Sequence, residues 1–200
     1  MSILEELRNE ITSHPREREG FNNIELNSLK SPEREDALDL LITHLEEGDE
    51  RLTEPTKKIL GHDYVKHLQS RLTELSTLDH GSIYIPYFLF KETGEQKYIQ
   101  LMKSAILKGD KDWDMRRSAL GRNLRNELSP KMYAEFCIEI AKNDSNKSVL
   151  KTALLGIQCY TSGRNEFALN DDSEEVLKLL TSVDKHDRDS GLKKLESMHI

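Results

Sequence analysis

Short amphipathic segments, separated by connectors of a few polar residues, run through most of the 200-residue chain and constrain its fold more than any other feature. In residues 31–50, for example, Ala37, Leu41, Ile42 and Leu45 fall at the spacing of one helix face. Similar stripes recur toward the C-terminus, and connectors such as "LSP" and "KNDSN" are short enough to make successive helices antiparallel neighbours. The pattern therefore predicts an all-α protein built from antiparallel helical hairpins.

About nine to ten helices are expected in one domain, residues 1–200. Within this domain, residues 1–30 are expected to form an N-terminal helix with a linker or mobile arm, and residues 31–200 are expected to form the helical repeats. The apolar run 83–90 fits a buried strand as well as a helix, and we choose a helix because no second strand is available to pair with it. The predicted helices cover residues 1–13, 31–48, 56–76, 83–90, 95–108, 112–127, 130–142, 146–160, 173–182 and 187–197.

The start of the second helix carries recognisable signals. Ser31 is expected to cap it, Pro32 suits the first helical position, and Gly48 is expected to close it. These signals support a helix that begins close to residue 31.

Composition limits the classes of protein to be considered. A formal net charge of −7 repels phosphate backbones and attracts basic partners, so nucleic-acid binding is disfavoured. Cys137 and Cys159 lie in apolar helical patterns without metal-ligand spacing, which predicts reduced thiols and a cytoplasmic protein. The N-terminus lacks the pattern of a signal peptide, and no window has the apolar length of a membrane span, so no membrane partner is expected.

Alternating aspartates in "DKDWDMRRSALG" suggest a calcium loop at first sight. Asp110, Asp112 and Asp114 match the first three ligand positions of an EF-hand. However, Met115 occupies the position of the turn glycine, and Gly121 that of the bidentate glutamate. Calcium binding by this stretch is therefore not expected.

The same stretch has a second copy 34 residues later, in "DSNKSVLKTALLGI". In each copy an aspartate lies five residues before an apolar helix-opening residue, and an alanine follows four residues after that, as in Asp144, Val149 and Ala153. The aspartate suits a helix cap, and the small residue lets neighbouring helices approach closely.

These two copies, Asp110–Leu124 and Asp144–Ile157, resemble HEAT repeats of the short HEAT-like (armadillo-type) variety. The likeness departs from the family pattern at Val149-Leu150, where an apolar-arginine pair is typical, and at Arg122, where a small residue is typical. The resemblance implies a short solenoid of stacked hairpins. It also implies that Arg116 bonds to the aspartate turn of a neighbouring repeat.

No motif for catalysis, metal binding or cofactor binding is recognisable. His62 and His67 are five residues apart, whereas ligands on one helix face are three or four apart. Glycine-rich phosphate loops, nucleophile elbows and C-x-x-C spacing are missing from the sequence. We therefore assign no catalytic residue, metal ligand or cofactor.

Candidate binding residues fall into three groups, each with a plain alternative. Two acidic runs are candidates for a surface that attracts a basic protein, although acids also serve solubility and helix N-termini. Three aromatic residues are candidate anchors, if they are not simply core. An arginine-rich segment reaching Lys131 is a candidate phosphate site, or else a solvated helix face. The acidic candidates are Glu46, Glu47, Asp49, Glu50, Asp171, Asp172 and Glu174. The aromatic candidates are Tyr84, Tyr87 and Trp113, and the candidate phosphate site consists of Arg116, Arg122 and Arg125.

The favoured interpretation is a non-enzymatic module that binds one basic protein. By size, charge and lack of a catalytic motif the chain resembles bacterial toxin-immunity proteins, which block a nuclease-type toxin. The alternatives are a HEAT-like nucleic-acid- or phosphate-binding enzyme using the Arg116–Lys131 segment, and an adaptor with several partners in a larger assembly.

Overall fold

The structure is a computed structural model that describes residues 2–13, 20–21, 24–75, 81–108 and 113–198. All regular secondary structure in these ranges is helical, which confirms the all-α prediction. The described ranges contain ten α-helices of eight residues or more, so the predicted number of helices is also confirmed. Most of the predicted linker 14–23 and the aspartates Asp110 and Asp112 lie outside the described residues.

Packing within the chain divides it into two compact units, Met1–Tyr98 and Ile99–Ile200, and the division falls inside the sixth helix. The helices before the division are α1 (Ile3–Thr12), α2 (Glu33–Glu46), α3 (Thr53–Leu60), α4 (Tyr64–Glu74) and α5 (Gly81–Thr93). Helix α6 (Gln96–Lys108) contains the division. The later helices are α7 (Trp113–Ser118), α8 (Arg125–Glu127), α9 (Pro130–Asn143), α10 (Lys147–Ser162), α11 (Asp171–Leu180) and α12 (Lys185–Ser197), and a π-helix (Ala119–Leu124) joins α7 to α8.

Two local predictions in the first unit need correction. Ser31 does not cap α2: the cap residue is Pro32, and the Ser31 hydroxyl instead donates a hydrogen bond to the Glu35 carboxylate (2.7 Å). The single helix predicted over 56–76 is two helices, because Gly61 takes a left-handed φ of 58° and ends α3. A short 3₁₀ turn over Gly61–Asp63 then leads into α4.

Helix α5 forms a large part of the core of the first unit. The predicted helix over 83–90 is confirmed, and it continues through Pro86. It packs against α2 and α4 and buries Ile85 and Leu89 completely. At the end of α2, Gly48 (φ 91°) lies so close to α5 that an added Cβ would be 2.5 Å from the Tyr84 ring. Gly48 therefore closes α2 as predicted and also leaves room for an aromatic side chain.

In the second unit α9 and α10 form a tightly packed hairpin. Ser129 caps α9 by accepting from the Met132 amide, and Asn146 caps α10 by accepting from the Ser148 amide (2.9 Å). The helices approach closely at Gly156, where an added Cβ would lie 2.7 Å from the Cys137 sulfur. Helix α10 also packs against α7 and α11, and α11 packs against α12.

A buried ion pair connects α7 to the turn between α9 and α10. The Arg116 guanidinium pairs with the Asp144 carboxylate, and the two side chains are only 6% and 7% exposed. Arg116 Nε also donates to the Ile106 carbonyl (2.8 Å), and Asp144 Oδ1 accepts from the Asn146 amide (2.8 Å). The contact between Arg116 and the aspartate turn, which the HEAT-like resemblance implies, is thus present.

Breaking this pair is expected to destabilise the fold strongly. Arg116→Ala leaves the Asp144 carboxylate buried without its guanidinium, at a cost of about 3–5 kcal/mol in the free energy of unfolding. Urea denaturation followed by circular dichroism measures the loss, and Asp144→Asn is expected to shift the midpoint in the same direction.

Arg117→Ala is the matched control, because Arg117 pairs with Asp114 in an exposed contact (2.7 Å) on the same helix. An exposed pair contributes about 1 kcal/mol or less, so this variant is expected to unfold close to the wild-type midpoint. Equal destabilisation by the two arginine variants would contradict the structural role of the buried pair.

Candidate functional site

Two of the predicted acidic residues near the end of α2 pair with arginines of their own unit. Glu46 pairs with Arg71 of α4, and this contact raises the pKa of the arginine. Asp49 pairs with Arg51, which follows it closely in the chain. Glu47 contacts His44 Nδ1 at 2.8 Å. This run therefore offers less negative charge to a partner than its composition indicates.

The first turn of α11 is different. Asp171, Asp172 and Glu174 are all exposed, and within the described ranges no cation lies at ion-pair distance from them. Asn170 caps the helix by accepting from the Ser173 amide (2.9 Å). Carboxylates are favourable at a helix N-terminus, which accounts for their position without assigning them a partner inside the chain. They form an unpaired acidic surface on the second unit.

The loop that precedes α11 presents an apolar side chain to solvent. Phe167 is 94% exposed, although the backbone on both sides of it is held. The buried Gln158 amide donates to the Ala168 carbonyl (3.0 Å) and accepts from the Asn170 amide (2.9 Å). Cys159 Sγ accepts from the Glu166 amide (3.3 Å). Sequence reasoning missed Phe167, and the available signal was a lone aromatic residue in the polar run "SGRNEFALNDDSEE".

Of the three aromatic candidates, only one is at the surface. Tyr84 and Tyr87 are each 5% exposed, so the interpretation of these two residues as partner anchors is corrected. They belong to the core, because α5 is buried around more of its circumference than a helix with one apolar face. Trp113 begins α7 and is 44% exposed, with the Arg117 guanidinium 6.0 Å from its ring centroid.

The predicted phosphate patch also needs correction. Arg116 is buried and paired with Asp144, so it offers no donor to a ligand at the surface. Arg122 is exposed on the π-helix, whereas Arg125 is partly buried and donates to the Asn165 side chain (2.8 Å). The sequence placed these residues together because they are close along the chain, but helical geometry sends them in different directions.

Arg125 instead lines a cleft of about 400 Å³ in the second unit. The C-terminal end of α10 and the loop after it provide one side, and α8 with the start of α9 provides the other. Arg125 and Arg164 are the two charged residues of the lining, and Tyr133 and Tyr160 add aromatic surface. The complete lining is Arg125, Pro130, Tyr133, Gly156, Cys159, Tyr160, Gly163, Arg164 and Asn165.

A second cleft, of about 420 Å³, lies in the first unit between α2 and α4. It is lined by Asp39, Ile42, Thr43, His67, Ser70, Arg71 and Glu74. Its arginine already pairs with Glu46 and Glu74, so the strongest donor in this cleft is occupied. Across the part of the chain that the structure describes, no group of three or more histidine, cysteine or acidic side chains is placed to hold a metal ion.

The two cysteines have different environments. Cys137 is completely buried, and burial raises the pKa of its thiol to about 12. Cys159 is partly exposed and lines the cleft beside Arg125, with 3.7 Å between the Arg125 Nη2 and the sulfur. Since the thiolate is the reactive form, Cys137 is protected by its pKa as well as by its position.

Comparison with protein-family models, curated proteins and solved structures yielded no match. None of the helices in the described ranges combines the length and the apolar character needed to cross a membrane.

The cysteines give a direct test of these environments. At pH 8 iodoacetamide is expected to modify Cys159 in the native protein and to leave Cys137 unmodified, with both modified in urea. Peptide mass mapping measures the extent of labelling at each position. The Cys159→Ser variant is the control and is expected to take up no label while folded. Native labelling of Cys137 at the rate seen in urea would contradict the packing of α9 against α10.

Proposed function

We propose that this protein is a non-enzymatic binding module that recognises and blocks one basic protein, as bacterial toxin-immunity proteins do. The proposed contact is the Phe167 surface, defined as Phe167 with Asp171, Asp172 and Glu174. The observation that carries the proposal is the 94% exposure of Phe167 on a loop whose backbone is held by the buried Gln158 side chain.

An exposed phenyl ring on a held loop suits a binding anchor. Burying a phenylalanine side chain in a partner contributes about 1.5–3 kcal/mol, and aromatic residues dominate the energetics of many interfaces. The hydrogen bonds of Gln158 restrict the loop before any partner arrives. Less conformational entropy is then lost on binding, which favours affinity.

The neighbouring charges indicate the chemistry of the partner. Three carboxylates of the first turn of α11 follow Phe167 within seven residues, and no cation of the described chain pairs with them. The whole chain has a net charge of −7, so its field also favours a basic partner. Charge complementarity of this kind raises the association rate and the specificity of a complex more than its affinity.

We also propose that the helices form a short HEAT-like stack. The Arg116–Asp144 pair joins the two sequence copies that resemble the repeat, and it supports this arrangement. Ala119 and Ala153 occupy matching positions of the two copies, and both are completely buried. Small buried residues at such positions let successive helices pack closely. Stacked helical hairpins offer an extended surface to a macromolecular partner.

The alternative of an enzyme that uses the Arg116–Lys131 segment receives less support, because its first arginine is buried in an ion pair. The adaptor alternative differs from the favoured function in the number of partners. The affinity-capture experiment below distinguishes the enzymatic and the adaptor alternatives from the favoured function.

Affinity capture with the tagged protein from lysate of the source organism, at low and at high salt, tests the proposal. We expect one basic protein to be retained near one-to-one at low salt and to be released by high salt. Phe167→Ala is expected to weaken the purified complex at least about tenfold, corresponding to loss of roughly 1.4 kcal/mol or more. Asp171→Lys with Asp172→Lys is expected mainly to slow association, measured by surface plasmon resonance.

Matched controls come from the same unit. Val183→Ala removes another fully exposed apolar side chain, and Glu139→Lys reverses an exposed acid on α9; both are expected to leave binding unchanged. Equal effects of control and test variants would reject the Phe167 surface. Capture of several proteins would favour the adaptor function, and capture of nucleic acid would favour the enzymatic one.

A further inference from the structure

We propose that the cleft between Arg125 and Arg164 is a binding site for a small organic anion, with a phosphate or carboxylate group attached to a ring. This site is separate from the proposed protein partner and does not depend on it. It lies entirely in the second unit, and its lining comes from α8, α9, α10 and the loop after α10.

The charge of the cleft is opposite to that of the protein. In a chain with a net charge of −7, the two charged residues that line this cleft are both arginines. Among the described residues no carboxylate lies within ion-pair distance of either guanidinium. Two cations that line one recess without an internal counter-ion favour an anionic occupant.

Arg125 is held in place without using up its donors. Its Nη2 donates to Asn165 Oδ1 (2.8 Å) and lies 3.7 Å from Cys159 Sγ. Within the described chain its Nε and Nη1 make no hydrogen bond, and a guanidinium has five N–H groups. A guanidinium fixed on one side and open on the other suits a planar carboxylate or a phosphate, which can accept two parallel hydrogen bonds.

The size and the walls of the cleft indicate that the ligand has an organic body. A volume of about 400 Å³ falls in the range of small-molecule pockets, and it exceeds what one inorganic oxyanion fills. Tyr133, Tyr160 and Pro130 supply apolar and aromatic surface next to the arginines. Gly156 leaves space for the Tyr133 ring, since an added Cβ would lie 2.8 Å from that ring. A ring that carries an anionic group matches both parts of this lining.

Phenyl phosphate, benzoate and inorganic phosphate are the probes, titrated into the folded full-length protein at constant ionic strength with calorimetric detection. Phenyl phosphate is expected to bind at least several-fold more tightly than inorganic phosphate, and benzoate is expected to compete with it. Arg164→Gln is expected to weaken phenyl phosphate binding about tenfold or more, because a charge-assisted contact is lost.

Arg122→Gln is the matched control: it removes one positive charge from an exposed residue of the π-helix that does not line the cleft. Its affinity for phenyl phosphate is expected to stay within about twofold of wild type, as screening by salt leaves only a weak distant effect. Arg164→Gln is the decisive variant because Arg164 is exposed, whereas Arg125→Gln also removes the contact with Asn165.

Alkylation of Cys159 provides a readout at the site itself. Saturating phenyl phosphate is expected to slow modification of this thiol at least about threefold in the wild type, and the protection is expected to disappear in Arg164→Gln. The proposal is overturned if phenyl phosphate does not bind at millimolar concentration, if inorganic phosphate binds equally well, or if Arg122→Gln weakens binding as much as Arg164→Gln does.

Discussion

The buried ion pair between Arg116 and Asp144 is the interaction on which the arrangement of the second unit depends. Removing two charges from water is costly, and the cost is offset only where the remaining polar atoms are satisfied. Here Arg116 Nε reaches the Ile106 carbonyl, and Asp144 Oδ1 accepts from the Asn146 amide. The pair and its hydrogen bonds thus join the last turn of α6, helix α7 and the cap of α10. The position of α7 relative to the turn before α10 follows from the requirement that Arg116 and Asp144 form this pair.

With Arg116 used in this way, the positive charge available to ligands is found elsewhere. The cleft arginines Arg125 and Arg164 belong to elements at the opposite end of α10 from Asn146. The loop after α10 supplies Arg164 and Asn165 to the cleft and, two residues later, Phe167 to the solvent. The proposed anion site and the Phe167 surface therefore share one loop, and the hydrogen bonds of Gln158 hold its far end. This acidic protein therefore carries a local site of positive charge at the cleft.

Much of the fold was predictable because its signals are local. Helix caps, short connectors and apolar stripes act within a few residues, so the predicted helix over 83–90 and those starting near 130 and 146 are confirmed. The break at Gly61 was missed, since an isolated glycine in a helical pattern is often tolerated. The candidate sites were less predictable. Exposure of Tyr84, Tyr87 and Arg116 depends on which neighbours cover them, and those neighbours are distant in sequence.

The sequence by itself determined the helical class, the approximate helix count and the likeness between two copies that led to the expected Arg116 contact. The helical class and the helix count follow from periodicity and spacing along the chain, whereas the Arg116 contact was implied by the resemblance to HEAT-like repeats. Only the tertiary structure decided that Arg125 and Arg164 line the same cleft, and that Phe167 stays in solvent while Tyr84 does not. The physical reason is that burial and charge pairing are properties of side chains brought together by packing. Arg125 and Arg164 are 39 residues apart in the chain, and no sequence signal indicates that they lie near each other.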